Sequence, residues 1–152
     1  MTAPIGELLG PEDVYLDVPA DSREALLERA AALLAKRSGL ADRRVYDQLV
    51  ARERLGSTAL GHGIALPHAR IPGLARPYAA LIRTRGGIEF DAPDRRPVHV
   101  FLVLLVPAES ADRHLALMAC AAQQFADREF RVKLKSAGGP GEIAGLFDYL
   151  PE

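Results

Sequence analysis

One nine-residue segment limits what this chain can fold into more than any other part of it. Residues 98–106 read VHVFLVLLV, and every position except His99 is apolar. A run this apolar, rich in valine and closed by Pro107, is typical of a central β-strand that is buried on both faces. The run is too short to cross a bilayer as a helix. We therefore expect a sheet with covering layers on both sides.

The first half of the chain predicts one strand and two helices. Val14–Val18 reads as a short strand. Asp21 and Glu24 form a capping-box pattern ahead of an amphipathic helix, which Gly39 is expected to end. A second helix is predicted over residues 42–54.

The second half predicts the rest of the sheet and three more helices. Short strand pieces are expected within 57–67, and a further strand over 78–83. The first helix after the central strand is predicted to pack through one apolar stripe: Leu115, Met118, Ala119, Ala122 and Phe125. Asp127 and Pro140 mark the starts of two more helices. The predicted fold is a three-layer α/β/α arrangement with a central mixed β-sheet flanked by helices on both faces, in one domain covering 1–152.

Composition excludes several classes of function. Lysine plus arginine is 19 and aspartate plus glutamate is 20, so the net charge is −1. General nucleic-acid binders are usually much more basic, and an anionic membrane surface would attract this chain little. The single Cys120 cannot form an internal disulfide or a cysteine-rich metal site. Residues 1–7 carry no export signal. We expect a cytoplasmic protein without membrane insertion.

His68 is the first candidate for chemistry. It follows a short apolar strand and Pro67, which fixes the backbone before it, and Arg70 lies two residues on. Ligands of open α/β sheets bind beyond the ends of strands, and imidazole is a good nucleophile near neutral pH. The alternative is a turn histidine that packs beside an arginine by chance.

The other histidines support weaker interpretations. His114 is predicted in the first turn of a helix, where an anion would be favoured; the alternative is a solvent-facing side chain. His99 is interpreted as a hydrogen-bonded structural histidine, and His62 as a polar turn residue. The spacing of His62, His68 and His114 matches no familiar zinc pattern, so no metal site is predicted.

One motif resembles a known family. Residues 52–70, RERLGSTALGHGIALPHAR, resemble the phosphohistidine signature of IIA proteins of the bacterial phosphoenolpyruvate-dependent phosphotransferase system. The resemblance is to the mannitol/fructose-type IIA fold, and within it to the nitrogen-regulatory branch. Segments 8–14, 90–94 and 104–107 also match, so the resemblance runs nearly end to end. His62 departs from the pattern, where asparagine or another polar residue is more usual.

The resemblance implies a role for each residue of the motif. His68 would accept a phosphoryl group. His114 and Arg52 would contact the phosphate, and Ser57 and Thr58 occupy the small hydroxyl positions that support the phosphate site.

The resemblance also implies partners and leaves alternatives open. The donor would be an HPr-like phosphocarrier protein that already bears phosphohistidine, so no cofactor or metal is required. The phosphorylation state would regulate target proteins related to nitrogen and potassium. One alternative is a sugar-transporting IIA that passes phosphate to a IIB domain. Others are a non-catalytic binding module with the same fold and a small metal-dependent hydrolase.

Four residues near His68 are predicted to form the docking rim for the carrier. Leu60, Leu66 and Ile71 would supply apolar contact, and Arg70 would add charge steering. The alternative is that the apolar residues belong to the core and that the arginine only solvates a loop.

Overall fold

A computed structural model describes residues 3–151 and contains a six-stranded mixed β-sheet with helices on both faces. The strands are β1 Val14–Val18, β2 Ala59–Gly61, β3 Ile64–Ala65, β4 His68–Ile71, β5 Tyr78–Ile88 and β6 Val98–Pro107. The α-helices are α1 Arg23–Ser38, α2 Asp42–Leu55, α3 Ala111–Ala126, α4 Arg128–Ser136 and α5 Pro140–Leu146. The expected three-layer α/β/α fold is confirmed.

Strand β6 organises the sheet. It pairs antiparallel with β5 on one side, and on the other side parallel with β3 and then with β4. Strand β1 extends the sheet beyond β5 in parallel, and β2 pairs antiparallel with β3. Because β3 and β4 follow each other along β6, the short link between them places His68 directly beside Leu104.

The side chains of β6 alternate between the two faces of the sheet. Phe101 and Val103 join the core beneath α1 and α2, whereas Leu102 and Leu104 join the core beneath α3, α4 and α5. All four are 0% exposed. Burying a side chain of this size stabilises the fold by about 1.5–3 kcal/mol. The predicted two-sided burial is confirmed, and it accounts for the two helical layers.

The first helix begins one residue later than its capping pattern predicted. The Ser22 hydroxyl accepts a hydrogen bond from the backbone N–H of Ala25 at 3.1 Å. Asp21 therefore lies outside the helix, and the predicted capping box is wrong. At the other end, Gly39 adopts a left-handed conformation with φ of 80° and ends the helix as predicted.

Helix α3 packs through a stripe that overlaps the predicted one only at Phe125, which is buried, and at Met118, which is partly buried. Leu115 is 65% exposed. The buried side chains are Leu117, Cys120, Ala121, Gln124 and Phe125. The helix carries small apolar residues on two faces, so the periodicity alone selects the wrong one. With this rotation His114, three residues before Leu117, lies on the side that faces the sheet.

The start of β6 also differs from expectation. Strand β5 continues past the predicted 78–83 to Ile88 and pairs with β6 through an irregularity after Arg83. His99 is exposed there, and its ring makes no hydrogen bond within residues 3–151. Its interpretation as a hydrogen-bonded structural histidine is therefore wrong.

None of the helices within residues 3–151 has the length and apolar character that a membrane-spanning helix needs.

Candidate active site

The ring of His68 is held by the backbone two residues before it. His68 is the first residue of β4 and is 9% exposed. Its Nδ1 lies 2.8 Å from the carbonyl oxygen of Leu66. Since a carbonyl oxygen can only accept a hydrogen bond, Nδ1 carries the proton. The other nitrogen, Nε2, therefore keeps its lone pair and can act as a nucleophile.

The surroundings keep this ring uncharged. Burial lowers the pKa of His68, and the positive charges of Arg52 and His114 lower it further, while the hydrogen bond to Leu66 acts in the opposite direction. A lowered pKa means that the neutral form predominates at pH 7. Neutral imidazole is the form that attacks an electrophilic phosphorus.

His114 lies beside His68 in the structure. Its ring centroid is 5.7 Å from that of His68, with the planes inclined at 49°. Its Nδ1 is buried and has no hydrogen-bond partner within residues 3–151. Burial lowers the pKa of His114, and the charge of Arg70 lowers it further.

Two guanidinium groups hold the backbone around the histidines. In the last turn of α2, Arg52 donates from Nη1 to the carbonyl oxygen of Gly56 at 2.8 Å. On β4, Arg70 donates from Nη2 to the carbonyl oxygen of Ala108 at 2.8 Å. Each arginine retains further donors. Both therefore combine a structural bond with a positive charge near the candidate site.

The hydroxyl groups of Ser57 and Thr58 are used within the loop. The Ser57 hydroxyl donates to the carbonyl oxygen of Phe90 at 2.5 Å and accepts from the backbone N–H of Ala59 at 3.1 Å. The Thr58 backbone N–H and hydroxyl both donate to the Glu53 carboxylate at 2.7 Å. These residues connect the end of α2 to β2.

Glu53 is a buried residue beside the candidate site that the sequence did not predict. It is 4% exposed, and both of its carboxylate oxygens accept hydrogen bonds from Thr58. A buried carboxylate is costly unless its oxygens are bonded in this way. The signal in the sequence was a glutamate in the last turn of a helix, followed five residues later by a threonine. That spacing alone does not distinguish a buried pair from two exposed residues.

Of the four predicted docking residues, two are exposed and two are buried. Leu60 is 44% exposed and Arg70 is exposed, so both are accessible. Leu66, in the link between β3 and β4, is 4% exposed, and Ile71, at the end of β4, is 0% exposed. Both side chains face the core. Their side chains cannot form an accessible rim, and this part of the expectation is wrong.

The remaining histidines do not join the pair. His62 lies in the turn between β2 and β3, and His99 lines the same cleft as His62. Within residues 3–151, no group of three or more His, Cys, Asp or Glu side chains is arranged to hold a metal ion.

Comparison with known proteins identifies the family. The sequence profile described as "Phosphoenolpyruvate-dependent sugar phosphotransferase system, EIIA 2" matches residues 7–149. The chain belongs to this family. Members of the family are phosphotransferase components that carry a phosphohistidine and take phosphate from phosphocarriers. The resemblance found in the signature motif is thereby confirmed.

Individual relatives within the EIIA type-2 family carry regulatory and transport names. The chain is 37% identical to a nitrogen regulatory protein of Pseudomonas aeruginosa over 132 residues, which is 86% of each protein. It is 31% identical to a fructose-specific EIIA component of Haloferax volcanii, covering 83% of this chain and 82% of the relative. The crystal structure of the nitrogen regulatory protein IIA-Ntr from Neisseria meningitidis superposes with a TM-score of 0.90 at 38% identity, covering 94% and 98% of the two chains.

Proposed function

We propose that this protein accepts a phosphoryl group on Nε2 of His68 from an HPr-like phosphocarrier of the nitrogen branch. In this proposal its phosphorylation state regulates target proteins related to nitrogen and potassium in the cytoplasm. The observation that carries the proposal is the hydrogen bond from Nδ1 of His68 to the Leu66 carbonyl, because it leaves Nε2 as the free nucleophile.

The transfer is a single displacement at phosphorus. The Nε2 lone pair of His68 forms the new N–P bond as the N–P bond of the carrier phosphohistidine breaks, and that electron pair returns to the carrier nitrogen. The proton on Nδ1 stays in place because the Leu66 carbonyl holds it. Such transfers depend mainly on positioning and charge.

The negative charge of an incoming phosphoryl group is matched by basic side chains that already surround His68. A phosphoryl group on histidine brings close to two negative charges near pH 7. The ring of His114 lies next to that of His68 and can donate a hydrogen bond, and Arg52 and Arg70 lie around the pair. Charge-assisted hydrogen bonds are the stronger kind. These residues would stabilise phosphorylated His68 without any metal.

The regulatory branch is favoured over sugar transport by the relatives. Two similar proteins, at 37% and 38% identity, carry a nitrogen regulatory name. The transport alternative is supported by the fructose-specific relative at 31% identity. Both alternatives use the same chemistry on His68 and differ in the acceptor.

A reconstituted relay tests the proposal. Phosphoenolpyruvate, the first enzyme of the system and each candidate carrier are incubated with the protein, and intact mass is followed over time. We expect a mass gain of one phosphoryl group, faster with the nitrogen-branch carrier. A faster reaction with the sugar-branch carrier, followed by rapid loss of phosphate to a IIB domain, would favour transport. No gain with any carrier would favour a binding module.

A further inference from the structure

A second cleft lies at the other end of β6 from His68. It is bounded by the start of β6, the β2–β3 turn and α4, and its volume is about 350 Å³. His99 lines it, and His99 comes five residues before Leu104, the partner of His68 in the sheet. At roughly 3.3 Å per residue, the two places are about 17 Å apart along the strand.

The cleft is lined by basic side chains. Its charged and imidazole residues are His62, Arg96, His99, Arg128, Arg131 and Lys135. None of the described lining residues is an aspartate or glutamate. Within residues 3–151, the four cationic side chains form no ion pair with a carboxylate. Because the whole chain has a net charge of −1, this concentration is a local feature rather than a consequence of composition.

Hydrogen bonds hold the walls of the cleft in place. Lys135 Nζ donates to the His62 carbonyl oxygen, which ties α4 to the β2–β3 turn. Arg131 Nη1 donates to the carbonyl oxygens of Phe125 and Ala126, both at 2.9 Å. The Nη2 and Nε groups of Arg131 remain available as donors. The cations are therefore partly pre-positioned rather than freely mobile.

The carboxylate of Asp94 lies next to the cleft but forms hydrogen bonds with backbone N–H groups instead of pairing with the cations. Asp94 accepts hydrogen bonds from the backbone N–H of His62 at 2.9 Å and of Arg96 at 3.1 Å. It holds His62 in a left-handed conformation with φ of 57°. Burial lowers the pKa of Lys135, and the charge of Arg131 lowers it further, against a smaller opposite effect of Asp94. An anion in the cleft would relieve this repulsion.

We propose that this cleft is a second anion site, separate from the His68 site, that binds a small phosphate-bearing ligand. The volume lies within the range of small-molecule pockets. Guanidinium and ammonium groups are the preferred partners of phosphate oxygens. Since the four cations come from two separate segments, the loop before β6 and helix α4, a ligand with two phosphates fits them better than one with a single phosphate.

The first test is a titration followed by two-dimensional NMR of the amide groups. Pyrophosphate, inorganic phosphate and ADP are added separately to the wild-type protein and to His68→Ala/His114→Ala, which lacks the first anion site. We expect saturable shifts at residues 61–63 and in α4 in both proteins, with the tightest binding for pyrophosphate. Comparison of ADP with pyrophosphate shows whether a nucleoside adds affinity.

Two matched double variants then distinguish binding by the cations of the cleft from a general effect of net charge. Arg96→Gln/Arg128→Gln removes two cations from the cleft. Arg95→Gln/Lys133→Gln removes two cations from the same loop and the same helix, outside the cleft. Losing two charge-assisted hydrogen bonds is expected to weaken pyrophosphate binding about tenfold or more. The control is expected to bind within about twofold of wild type, because surface charges contribute little.

Three results would overturn the proposal. The first is the absence of saturable binding by all three probes in the wild-type protein. The second is shifts confined to residues around His68 and His114, which disappear in the double alanine variant. The third is equal weakening in the two charge variants, which would show screening by net charge alone. None of these results bears on phosphoryl acceptance by His68, so the two proposals fail separately.

Discussion

At the residue scale, the hydrogen bond from His68 Nδ1 to the Leu66 carbonyl decides which nitrogen can react. It also aligns the ring, because Leu66 is anchored in turn by the bond from its backbone N–H to the Thr58 carbonyl at 3.0 Å. Burial and neighbouring charge lower the pKa of His68, so the ring remains neutral. Tautomer and orientation therefore follow from the backbone around this side chain, whereas the neutral state follows from its burial and from neighbouring charge.

The acceptor role proposed for His68 predicts that a variant without this side chain takes up no phosphate. His68→Ala is expected to fold cooperatively but to take no phosphate in the reconstituted relay, because no nucleophile remains. Since the ring is 9% exposed, we expect a stability loss of about 1–3 kcal/mol. The matched control is His62→Asn in the exposed β2–β3 turn, where asparagine tolerates the positive φ. Labelling of His68→Ala at the wild-type rate would refute the assignment.

The lowered pKa of His68 predicts a pH-dependent stability. Between the lowered pKa of the folded state and about 6.5, the unfolded chain binds more protons than the folded protein. The free energy of unfolding must therefore fall as the pH is lowered through this window, by at most about 1.4 kcal/mol per pH unit for one proton. We expect His68→Gln to reduce this slope in urea unfolding measured from pH 7.5 to pH 5. A slope unchanged by the substitution would contradict the lowered pKa.

At the scale of secondary-structure elements, the site depends on how α2 and α3 attach to the sheet. The rotation of α3 places His114 on its inner side, 5.7 Å from the His68 ring. The Glu53–Thr58 bonds attach the end of α2 to β2, next to the strand pieces that lead to His68. Each helix thus brings one group to the site and is itself held by buried contacts.

The inward rotation of α3 predicts a role for His114 in transfer. His114→Ala is expected to slow phosphoryl acceptance about ten- to a hundredfold, because it removes a donor to the phosphate worth about 1.5–3 kcal/mol. Labelling of His68 should survive, since the nucleophile remains. His114→Gln, which keeps a hydrogen-bonding side chain, should recover part of the rate in the same relay. Unchanged rates in both variants would remove His114 from the site.

The Glu53–Thr58 bonds predict a coupled loss of stability and activity. Thr58→Val removes one hydrogen bond to a buried carboxylate, and we expect a loss of about 1–3 kcal/mol together with slower phosphoryl acceptance. The control is Thr84→Val in β5, where a 7% exposed threonine donates to the Gly86 carbonyl at 2.6 Å, away from the site. It should lose stability but keep its transfer rate. Equal transfer rates in the two variants would contradict a positioning role for Thr58.

At the scale of the whole molecule, the surface combines two basic regions with a slightly negative chain. Arg70 and Arg52 lie around the histidine pair, and a separate basic cleft lies at the far end of β6. Leu115, next to His114 in the chain, is an apolar side chain that is 65% exposed, whereas Leu60, which is 44% exposed, lines a different cleft with Phe125 and Arg131. A carrier protein would meet both charge and apolar surface on the side of the histidine pair.

The exposed Arg70 predicts a salt-dependent association. Arg70→Glu is expected to slow phosphoryl acceptance from the carrier more at low salt than at high salt, because screening weakens steering. Stability should change by no more than about 1 kcal/mol, since the arginine is exposed. Arg29→Glu, an equal charge change on the exposed side of α1, is the control. A rate insensitive to both charge and salt would place docking elsewhere.

The sequence by itself determined the central strand, most element boundaries and the choice of His68 as the candidate nucleophile. An apolar run such as 98–106, a glycine such as Gly39 and the motif around His68 each act through local chemistry: two-sided burial, a positive φ and a fixed backbone before an imidazole. Such features depend on neighbours along the chain. They are therefore readable without knowing how the elements pack.

The tertiary structure decided which faces and side chains the packing uses. Helix α3 carries apolar residues on two sides, and docking on the sheet selected the side with Leu117 and left Leu115 in solvent. The same packing buried Leu66 and Ile71, and it gathered the basic cleft from three distant segments. These outcomes depend on contacts between elements far apart in the chain. Local periodicity and propensity carry no information about such contacts, because they describe each element in isolation.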